Sequence, residues 1–249
     1  MPSGLHWNEF DLLTFDCYGT LVDWEAGILD VLKPWASANA VAASPEKLLT
    51  AFGTAESAVE HERPQALYRD VLREAMGRIA ASFGKTARME EREALGRSVG
   101  DWPVFADTVE ALRTLKNWHK LMVVSNVDRE SFARTAPKLG VALDGIVSAE
   151  EVGAYKPDRR MFDRALAVAR DWGIPPQRIL HVAQSLFHDI EPAKRLGLHT
   201  VWVDRRRGRP GGATPKASGD DVPDLRVTSL GDLVALERGR RGAEGERGV

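Results

Sequence analysis

Residues 12–20 read LLTFDCYGT, a short apolar run followed at once by a carboxylate and a polar turn. The run Asp11–Phe15 has the composition of a strand, and Asp16 stands directly after it. Taken alone, an Asp at the end of a strand is more typical of a cap or a turn. It becomes a candidate functional residue in a parallel α/β sheet, because such sheets bind ligands at the carboxyl ends of their strands.

The second half of the chain alternates strand and helix patterns, which predicts such a sheet. Helical spacing separates most of the β-rich runs, and Gly140, Gly173 and Gly197 stand where left-handed helix C-caps are expected. Units of this length favour parallel strands with helices on both faces of the sheet. The predicted strands are Asp11–Phe15, Lys120–Ser125, Gly145–Ser148, Ile179–Ala183 and Thr200–Val203.

The region between the first two strands has a different pattern. It contains no convincing strand, and its apolar residues recur at helical spacing, as in Leu67, Val71 and Ala75. About four inserted helices are expected here. We therefore predict an α/β core from residues 1–22 and 100–236, and a helical insert from residues 23–99.

Three local patterns carry smaller predictions. Asp107 and Glu110 have the spacing of a capping box at the start of a helix. A short strand or helix is expected near Leu225–Leu236. Residues 237–249 lack apolar content, which predicts a disordered tail.

Composition excludes several functional classes. The 249 residues are enough for a large core, and 34 Lys and Arg against 36 Asp and Glu give a net charge of −2, without the basic excess of a nucleic-acid-binding protein. Apolar runs are too short for a bilayer, and the amino terminus lacks the pattern of a secretory signal. The single cysteine, Cys17, excludes an intramolecular disulfide and a multi-cysteine zinc site. We expect a cytoplasmic protein without membrane or nucleic-acid partners.

Polar residues follow each of the first four predicted strands. Asp16 follows the first, Ser125 ends the second, Lys156 comes after the third and Asp189 after the fourth. A parallel sheet would bring these loops to one edge. A carboxylate, a hydroxyl, an ammonium and a second carboxylate would then converge, which is far more specific than any one of them.

These residues resemble the motifs of the haloacid dehalogenase superfamily, over nearly the whole chain. The resemblance implies a Rossmann-like core and a mobile helical cap that closes over the site. It also implies that Asp16 is the nucleophile, that Thr20 and Ser125 position the reacting group, that Lys156 supports the negative charges and that Asp189 completes the acidic end. The matching motifs are FDCYGTL at residues 15–21, VSN at 124–126, YKPD at 155–158 and AQSLFHD at 183–189.

The chemistry agrees with these roles. A carboxylate is a weak nucleophile, so it must be held in line with the electrophilic centre of the substrate. An ammonium beside Asp16 would keep it ionised and stabilise developing charge. A covalent ester or acyl phosphate on Asp16 would form, and water would hydrolyse it. We expect Tyr18, Thr20, Asn126 and Ser185 to contact the substrate.

Two departures separate this chain from the phosphatases of the superfamily. Those enzymes carry a second Asp two residues after the nucleophile as general acid, where this chain has Tyr18; its loss would cost about 10²–10⁴-fold in rate. They also bind Mg²⁺ through carboxylates after the fourth strand. Here the usual Gly-Asp of that loop is replaced by Ala183-Gln184. A Mg²⁺ site of Asp16, Asp189 and Gln184 would therefore be weakened, but it keeps a Mg²⁺-dependent phosphomonoesterase open as an alternative.

Tyr18 instead resembles the Asp-x-Tyr-Gly-Thr motif of the L-2-haloacid dehalogenase branch, which works without a metal. Halide leaves without a proton, so no general acid is needed. The expected activity is hydrolytic dehalogenation of a small 2-haloacid, with a small anionic organic substrate and no cofactor. A non-catalytic protein that binds a small acid is a third possibility, and a homodimer is left open.

The resemblance to this branch is incomplete. Gln184-Ser185-Leu186 replaces a Ser-Ser-Asn-type run that precedes the second carboxylate. The branch also uses a cap arginine for the carboxylate and halide, for which the sequence offers Arg63, Arg69 and Arg73.

Four other features have simpler interpretations. We expect Cys17 to pack in the core. His188 lies beside Asp189 and could reach the site, although a surface position is favoured. The Arg205–Arg207 run could contact an anion, although a solvated turn is favoured. Trp24 and Glu25 fit either the pocket wall or a hinge at the start of the insert.

Overall fold

A six-stranded parallel sheet forms the centre of the molecule, in the order β3-β2-β1-β4-β5-β6. The computed structural model describes residues 5–209, 212–214 and 222–245. The predicted α/β class with a parallel sheet is confirmed, and the predicted strands agree with the observed ones to within one residue. The strands are β1 Leu12–Phe15, β2 Lys120–Ser125, β3 Gly145–Ser148, β4 Ile179–Ala183, β5 His199–Val203 and β6 Leu225–Val227.

The central position of β1 places Asp16 between two other strand ends. Leu12 lies beside Lys120 of β2 and Ile179 of β4, and the register continues in parallel along the strand. All four residues of β1 are buried, as a strand covered on both faces requires. The Asp16 backbone N–H donates to the Val182 carbonyl at 3.2 Å, so Asp16 is still held against β4 at the point where β1 ends.

Ten α-helices surround the sheet in the part of the chain that the structure describes, and none of them is long and apolar enough to cross a membrane. Four of these helices follow β1 with no strand between them, as the sequence predicts. The helices are α1 Trp24–Ala38, α2 Pro45–Glu62, α3 Tyr68–Ser82, α4 Met89–Ser98, α5 Thr108–Leu115, α6 Arg129–Thr135, α7 Ala149–Val152, α8 Arg159–Asp171, α9 Glu191–Arg195 and α10 Leu230–Gly245.

Local sequence specifies the first two helices of the insert. Asp23 caps α1 by accepting from the Ala26 N–H at 3.1 Å, and Ser44 caps α2 by accepting from the Lys47 N–H. Pro45 at the first position of α2 has no N–H to leave unpaired. Helix α3 packs against both α2 and α4. We propose that residues 1–22 and 100–236 form the core and that residues 23–99 form a cap.

Helix ends depend on both local and distant partners. Gly140, Gly173 and Gly197 have φ of 69°, 75° and 75°, as their C-cap positions predict. The predicted capping box at Asp107 is wrong. The Asp107 carboxylate instead binds Arg205 and accepts from the Leu230 N–H, so it caps α10 rather than its own helix. Such long-range partners leave no mark in the local pattern.

The prediction of a disordered tail from residue 237 is also wrong for residues 237–245, which continue α10. One face of this polar helix is buried, through Leu233, Val234 and Glu237. The Glu237 carboxylate lies 2.7 Å from Nε2 of His119, whose Nδ1 lies 2.9 Å from the Phe10 carbonyl oxygen. The polar composition of the segment does not reveal that one face of the helix is buried. Residues 246–249 of the predicted tail lie outside the described part of the chain.

We predict that Glu237→Ala destabilises the protein by about 2 kcal/mol, because it leaves buried Nε2 of His119 without its acceptor. Urea unfolding at pH 7 measures the free energy of unfolding. Leu236→Ala is the control, since Leu236 is the neighbouring, exposed residue and its loss should cost at most about 0.5 kcal/mol. Equal, small losses for the two variants would contradict a docked α10.

Candidate active site

The Lys156 ammonium joins three of the loops that follow the strands. It donates to Asp16 Oδ1 at 2.8 Å, to Asp189 Oδ1 at 2.7 Å and to the Val124 carbonyl at 2.9 Å. These are three acceptors for the three N–H bonds of one ammonium. Its side chain is 2% exposed. The sequence-based expectation that Asp16, Lys156 and Asp189 lie together therefore agrees with the geometry.

The Asp16 carboxylate is held at both oxygens. Lys156 binds Oδ1, and the Thr20 hydroxyl donates to Oδ2 at 2.7 Å. Thr20 Oγ1 also accepts from the Gln184 N–H at 2.9 Å. Thr20 is fully buried and does not line the cavity, so it orients Asp16 instead of contacting a substrate as expected from the sequence.

The second carboxylate has one satisfied oxygen and one free oxygen. Asp189 Oδ1 accepts from Lys156 and from His181 Nε2, which lies 3.1 Å away. His181 Nδ1 lies 2.9 Å from the Thr14 hydroxyl, so β1 and β4 both fix the ring. Asp189 Oδ2 is buried and has no hydrogen-bond partner among the described residues. One acceptor is thus left available for a ligand or for water.

Burial and neighbouring charges shift the pKa values of the triad formed by Asp16, Lys156 and Asp189 in opposite directions. Burial raises the pKa of Asp16 above its ordinary value, with the Lys156 charge opposing the rise and the Asp189 charge adding to it. Burial alone would also raise the pKa of Asp189, but Lys156 and His181 hold it below its ordinary value. The two carboxylates in turn raise the pKa of Lys156 against the effect of its burial. Asp16 is thus the carboxyl of the pair that takes a proton first.

Ser125 and Asn126 end β2 in different ways. Ser125 Oγ lines the cavity, is buried and has no partner among the described residues, so it is free to bind a ligand. The Asn126 amide donates to the Lys156 carbonyl at 3.1 Å and accepts from the Lys156 N–H at 2.6 Å. Asn126 therefore fixes the backbone that carries the ammonium, while one edge of its side chain also lines the cavity.

A cavity of about 40 Å³ lies over Asp16. Core and insert both contribute to its walls. Trp24 belongs to the wall, which agrees with one of its two interpretations. The lining residues are Asp16, Tyr18, Trp24, Glu56, Tyr68, Ser125, Asn126, Lys156, Gln184, Ser185, His188, Asp189 and Thr214.

Tyr18 lines this cavity, but its hydroxyl is already engaged. The oxygen lies 2.9 Å from Thr135 Oγ1, and the ring packs edge-to-face on Trp102 at 5.6 Å. Burial raises the pKa of this phenol well above its ordinary value. Tyr18 can therefore shape the pocket, but it does not offer an acid in the place of the phosphatase Asp. The adjacent Cys17 is fully buried in the core, as expected.

The loop after β4 offers a poor set of donors for Mg²⁺. Gln184 Oε1 accepts from Thr214 at 3.0 Å, and Ser185 Oγ accepts from the His188 N–H at 2.9 Å. Of the two carboxylates nearby, each already binds Lys156 through one oxygen. Among the described residues no three His, Cys, Asp or Glu are arranged to hold a metal ion. Two carboxylates neutralised by an ammonium, plus one amide, do not fit a divalent cation well.

His188 and Arg205 are only partly exposed. His188 lines the cavity, and burial lowers its pKa to about 4, so its ring is neutral at pH 7. Arg205 is mostly buried and donates to the Thr20 carbonyl, at 2.8 and 3.1 Å. Arg206 binds Glu25 and Glu46 at the starts of α1 and α2. The predicted turn at Arg205–Arg207 is present and Arg207 is exposed, but Arg205 and Arg206 bind partners that are distant in the chain, which composition does not reveal.

None of the three arginines suggested for the cap lines the cavity. Arg63 is exposed. Arg69 binds Glu130, and Arg73 binds Asp70 and Glu93. These residues were candidates only because they are arginines within the insert, and the sequence does not show which way their side chains point.

Besides Trp24, the insert contributes Glu56 and Tyr68 to the cavity lining, and neither of these two was predicted from the sequence. The Tyr68 hydroxyl donates to Glu56 Oε1 at 2.8 Å. One signal was present. Glu56 and Glu60 fall on the apolar stripe of α2, with Phe52 and Val59, where an acid is not expected.

Comparison of the sequence with known proteins identifies the family of this chain. A family model described as haloacid dehalogenase-like hydrolase matches residues 10–197. The chain belongs to the haloacid dehalogenase-like hydrolases. A similar curated protein is the (S)-2-haloacid dehalogenase of Pseudomonas fluorescens, 26% identical over 211 residues, or 78% of this chain and 84% of that protein. The phosphoserine phosphatase of Thermus thermophilus is 38% identical, but over only 35% of this chain and 31% of its own.

Solved structures of haloacid dehalogenase-like hydrolases share this fold. The L-2-haloacid dehalogenase of Xanthobacter autotrophicus, with chloropropionic acid covalently bound, superposes with a TM-score of 0.74 at 19% identity. The match covers 92% of this chain and 99% of that one. A match of this extent shows that the two chains share the fold over most of their length.

We predict that Lys156→Met lowers kcat/KM by about 10²–10³-fold, because it removes the cation that stabilises charge beside Asp16. It also leaves two carboxylates buried without a counterion, which raises the pKa of at least one of them. Carboxyls with a raised pKa in the folded state favour folding only at low pH. The variant should therefore lose about 3–5 kcal/mol of stability at pH 8 and less at pH 5.

Urea unfolding across that pH range, with kinetics in parallel, checks both effects. Lys33→Met is the matched control, since Lys33 is exposed on α1. Wild-type turnover in the Lys156 variant would make this lysine a structural residue only.

Proposed function

We propose that this hydrolase removes halide from a small 2-haloacid, through a covalent ester on Asp16. The observation that carries the proposal is the Asp16 carboxylate, buried at the floor of a small cavity and fixed at both oxygens by Lys156 and Thr20. A nucleophile held in this way has its rotational freedom removed before the substrate arrives. Likeness to a curated (S)-2-haloacid dehalogenase over most of the chain supports the same activity.

The first step displaces halide at C2 of the substrate. One Asp16 oxygen attacks the carbon, the carbon–halogen bond breaks, and halide leaves with the bonding electron pair. No proton is needed on the leaving group, which suits a cavity whose Tyr18 hydroxyl is engaged with Thr135. The free Ser125 hydroxyl is available to donate to the substrate carboxylate or to the departing halide.

The second step hydrolyses the ester. Asp189 has a lowered pKa and a buried oxygen, Oδ2, without a partner among the described residues, so it can accept a proton from an attacking water. The neutral ring of His188 lies on the same cavity wall. Water attacks the ester carbonyl and gives one proton to Asp189, and the bond between the Asp16 carbonyl carbon and the substrate oxygen breaks. The leaving oxygen takes that proton and departs as the hydroxyl of the 2-hydroxyacid. Asp16 regains its carboxylate with one oxygen from water, and the second water proton passes to solvent.

A Mg²⁺-dependent phosphomonoesterase is the second candidate. The unpartnered Asp189 Oδ2 favours it, because an orphaned carboxylate oxygen is what a cation would bind. The poor fit of Lys156 and Gln184 to a divalent ion argues against it. Likeness to a phosphoserine phosphatase extends over about a third of the chain.

We predict that Asp16→Asn abolishes turnover and leaves the protein folded, because an amide keeps the shape but does not attack carbon. Single turnover of the wild type in H₂¹⁸O should place the label in the peptide that contains Asp16, as mass spectrometry can show. Asp30→Asn is the control, since Asp30 is exposed on α1. Label that enters the product but is absent from this peptide would contradict the covalent mechanism.

We also predict that haloacid turnover is unchanged by EDTA, because each proposed step uses side chains of this chain alone. A panel of haloacids and phosphate esters, with and without EDTA and added Mg²⁺, gives the measurement. Phosphate release that stops with EDTA and returns with Mg²⁺ would select the phosphatase candidate.

A further inference from the structure

Glu56 is the acidic side chain that the cap contributes to the cavity wall. It projects from α2, and its residue is only 4% exposed. Oε1 accepts the Tyr68 hydroxyl proton at 2.8 Å, while Oε2 has no hydrogen-bond partner among the described residues. One carboxyl oxygen is therefore fixed by the cap, and the other is left for whatever enters the cavity.

No free cation accompanies this carboxyl. Among the described residues Glu56 makes no ion pair, and the one cation lining the cavity, Lys156, is saturated by two carboxylates and a carbonyl. A substrate carboxylate that enters the cavity therefore meets no unpaired positive charge from the described residues. It needs neutral donors, because burying an unpaired anion is costly.

A second buried carboxyl, Glu60, lies one helical turn from Glu56. Its residue is 7% exposed, and Oε1 has no partner among the described residues. Two buried carboxyls that close cannot both ionise without a counterion, so the pair retains at least one proton. Burial and the nearby Glu56 raise the pKa of Glu60 well above its ordinary value, while burial raises that of Glu56 to about 7. Glu60 thus keeps its proton when Glu56 titrates.

We propose that Glu56, in its neutral acid form, donates a hydrogen bond from Oε2 to the carboxylate of the substrate, and so supplies the carboxylate recognition for which no cap arginine is present in the cavity. This inference rests on the proposed function, since it assigns the binding of that function's substrate. It makes Glu56 a specificity-determining residue and not a catalytic one. Tyr68 orients the acid by occupying its other oxygen.

The proposal gives binding a definite pH dependence. Ionised Glu56 loses the donor and repels the substrate carboxylate, so affinity falls as the pH rises through about 7. If only the neutral form binds, KM should rise about 30-fold between pH 6 and pH 8.5. Among the described residues, the titratable and charged groups that face Glu56 or share its cavity are Glu60 on its own helix, Tyr68 on α3, Tyr155 before α8, and Asp16, Tyr18, Lys156, His188 and Asp189 from the core.

The test compares two uncharged replacements with 2-chloropropionate as substrate. Glu56→Gln keeps a donor at every pH, so its KM should stay near the wild-type value at pH 6 and should not rise by pH 8.5. Glu56→Met keeps the length but has no donor, so its KM should be about 10-fold higher at pH 6. Glu60→Gln, the same change one turn away, should keep the wild-type pH profile. Thermal unfolding confirms that each variant is folded.

Equal KM values for Glu56→Gln and Glu56→Met at pH 6 would overturn the proposal, since Glu56 would then act only by repulsion. A wild-type KM that does not change with pH would overturn it as well.

A binding experiment separates this inference from the dehalogenase proposal. Titration calorimetry of propionate at pH 8, in two buffers of different ionisation enthalpy, should show uptake of about one proton by the wild type and none by Glu56→Gln. Proton uptake without halide release from any haloacid would keep the role of Glu56 and remove the dehalogenation proposal. Absence of propionate binding, or binding without proton uptake, would overturn the role of Glu56 whichever bond is cleaved.

Discussion

A single buried ammonium determines how this active site is built. Lys156 binds Asp16, Asp189 and the end of β2 at once, so the loops after four neighbouring strands must converge within hydrogen-bond distance of one atom. Removing two carboxylates from water is unfavourable unless a cation lies between them. The parallel sheet supplies that arrangement, because β1 lies between β2 and β4 and all their carboxyl ends face one edge. The juxtaposition of Asp16, Lys156 and Asp189 is therefore a consequence of one topology.

The sequence predicted this centre because each residue either ends a short β-rich run or lies in the loop that follows one. Asp16, Ser125, Lys156 and Asp189 could be assigned to one sheet edge from strand order alone, and the structure brings them together. The roles of the side chains that surround these four residues were not predictable. Whether a hydroxyl such as Thr20 faces the substrate or the nucleophile depends on a rotation that no spacing encodes, and here it binds Asp16.

Long-range pairing explains what the sequence did not show in the fold and in the cap. Composition made residues 237–245 look disordered, yet burial of Glu237 against His119 fixes α10 to the core. Glu56 belongs to a helix whose other buried positions are mostly apolar, and its partner Tyr68 comes from the next helix. In both cases the buried carboxyl is stabilised by a hydrogen bond from a residue outside its own helix. The strands and caps were predictable because their signals are local.

The charge state of the triad is the central claim of this account, and carboxyl carbon NMR of protein labelled with ¹³C-aspartate tests it most directly. Asp16→Asn and Asp189→Asn assign the two resonances. The account predicts that both carboxyls are ionised at pH 7 and that, as the pH falls, Asp16 takes up a proton before Asp189. A wild-type protein in which either carboxyl is already protonated at pH 7, or in which Asp189 titrates first, would contradict the claim that Lys156 holds a charged nucleophile ready.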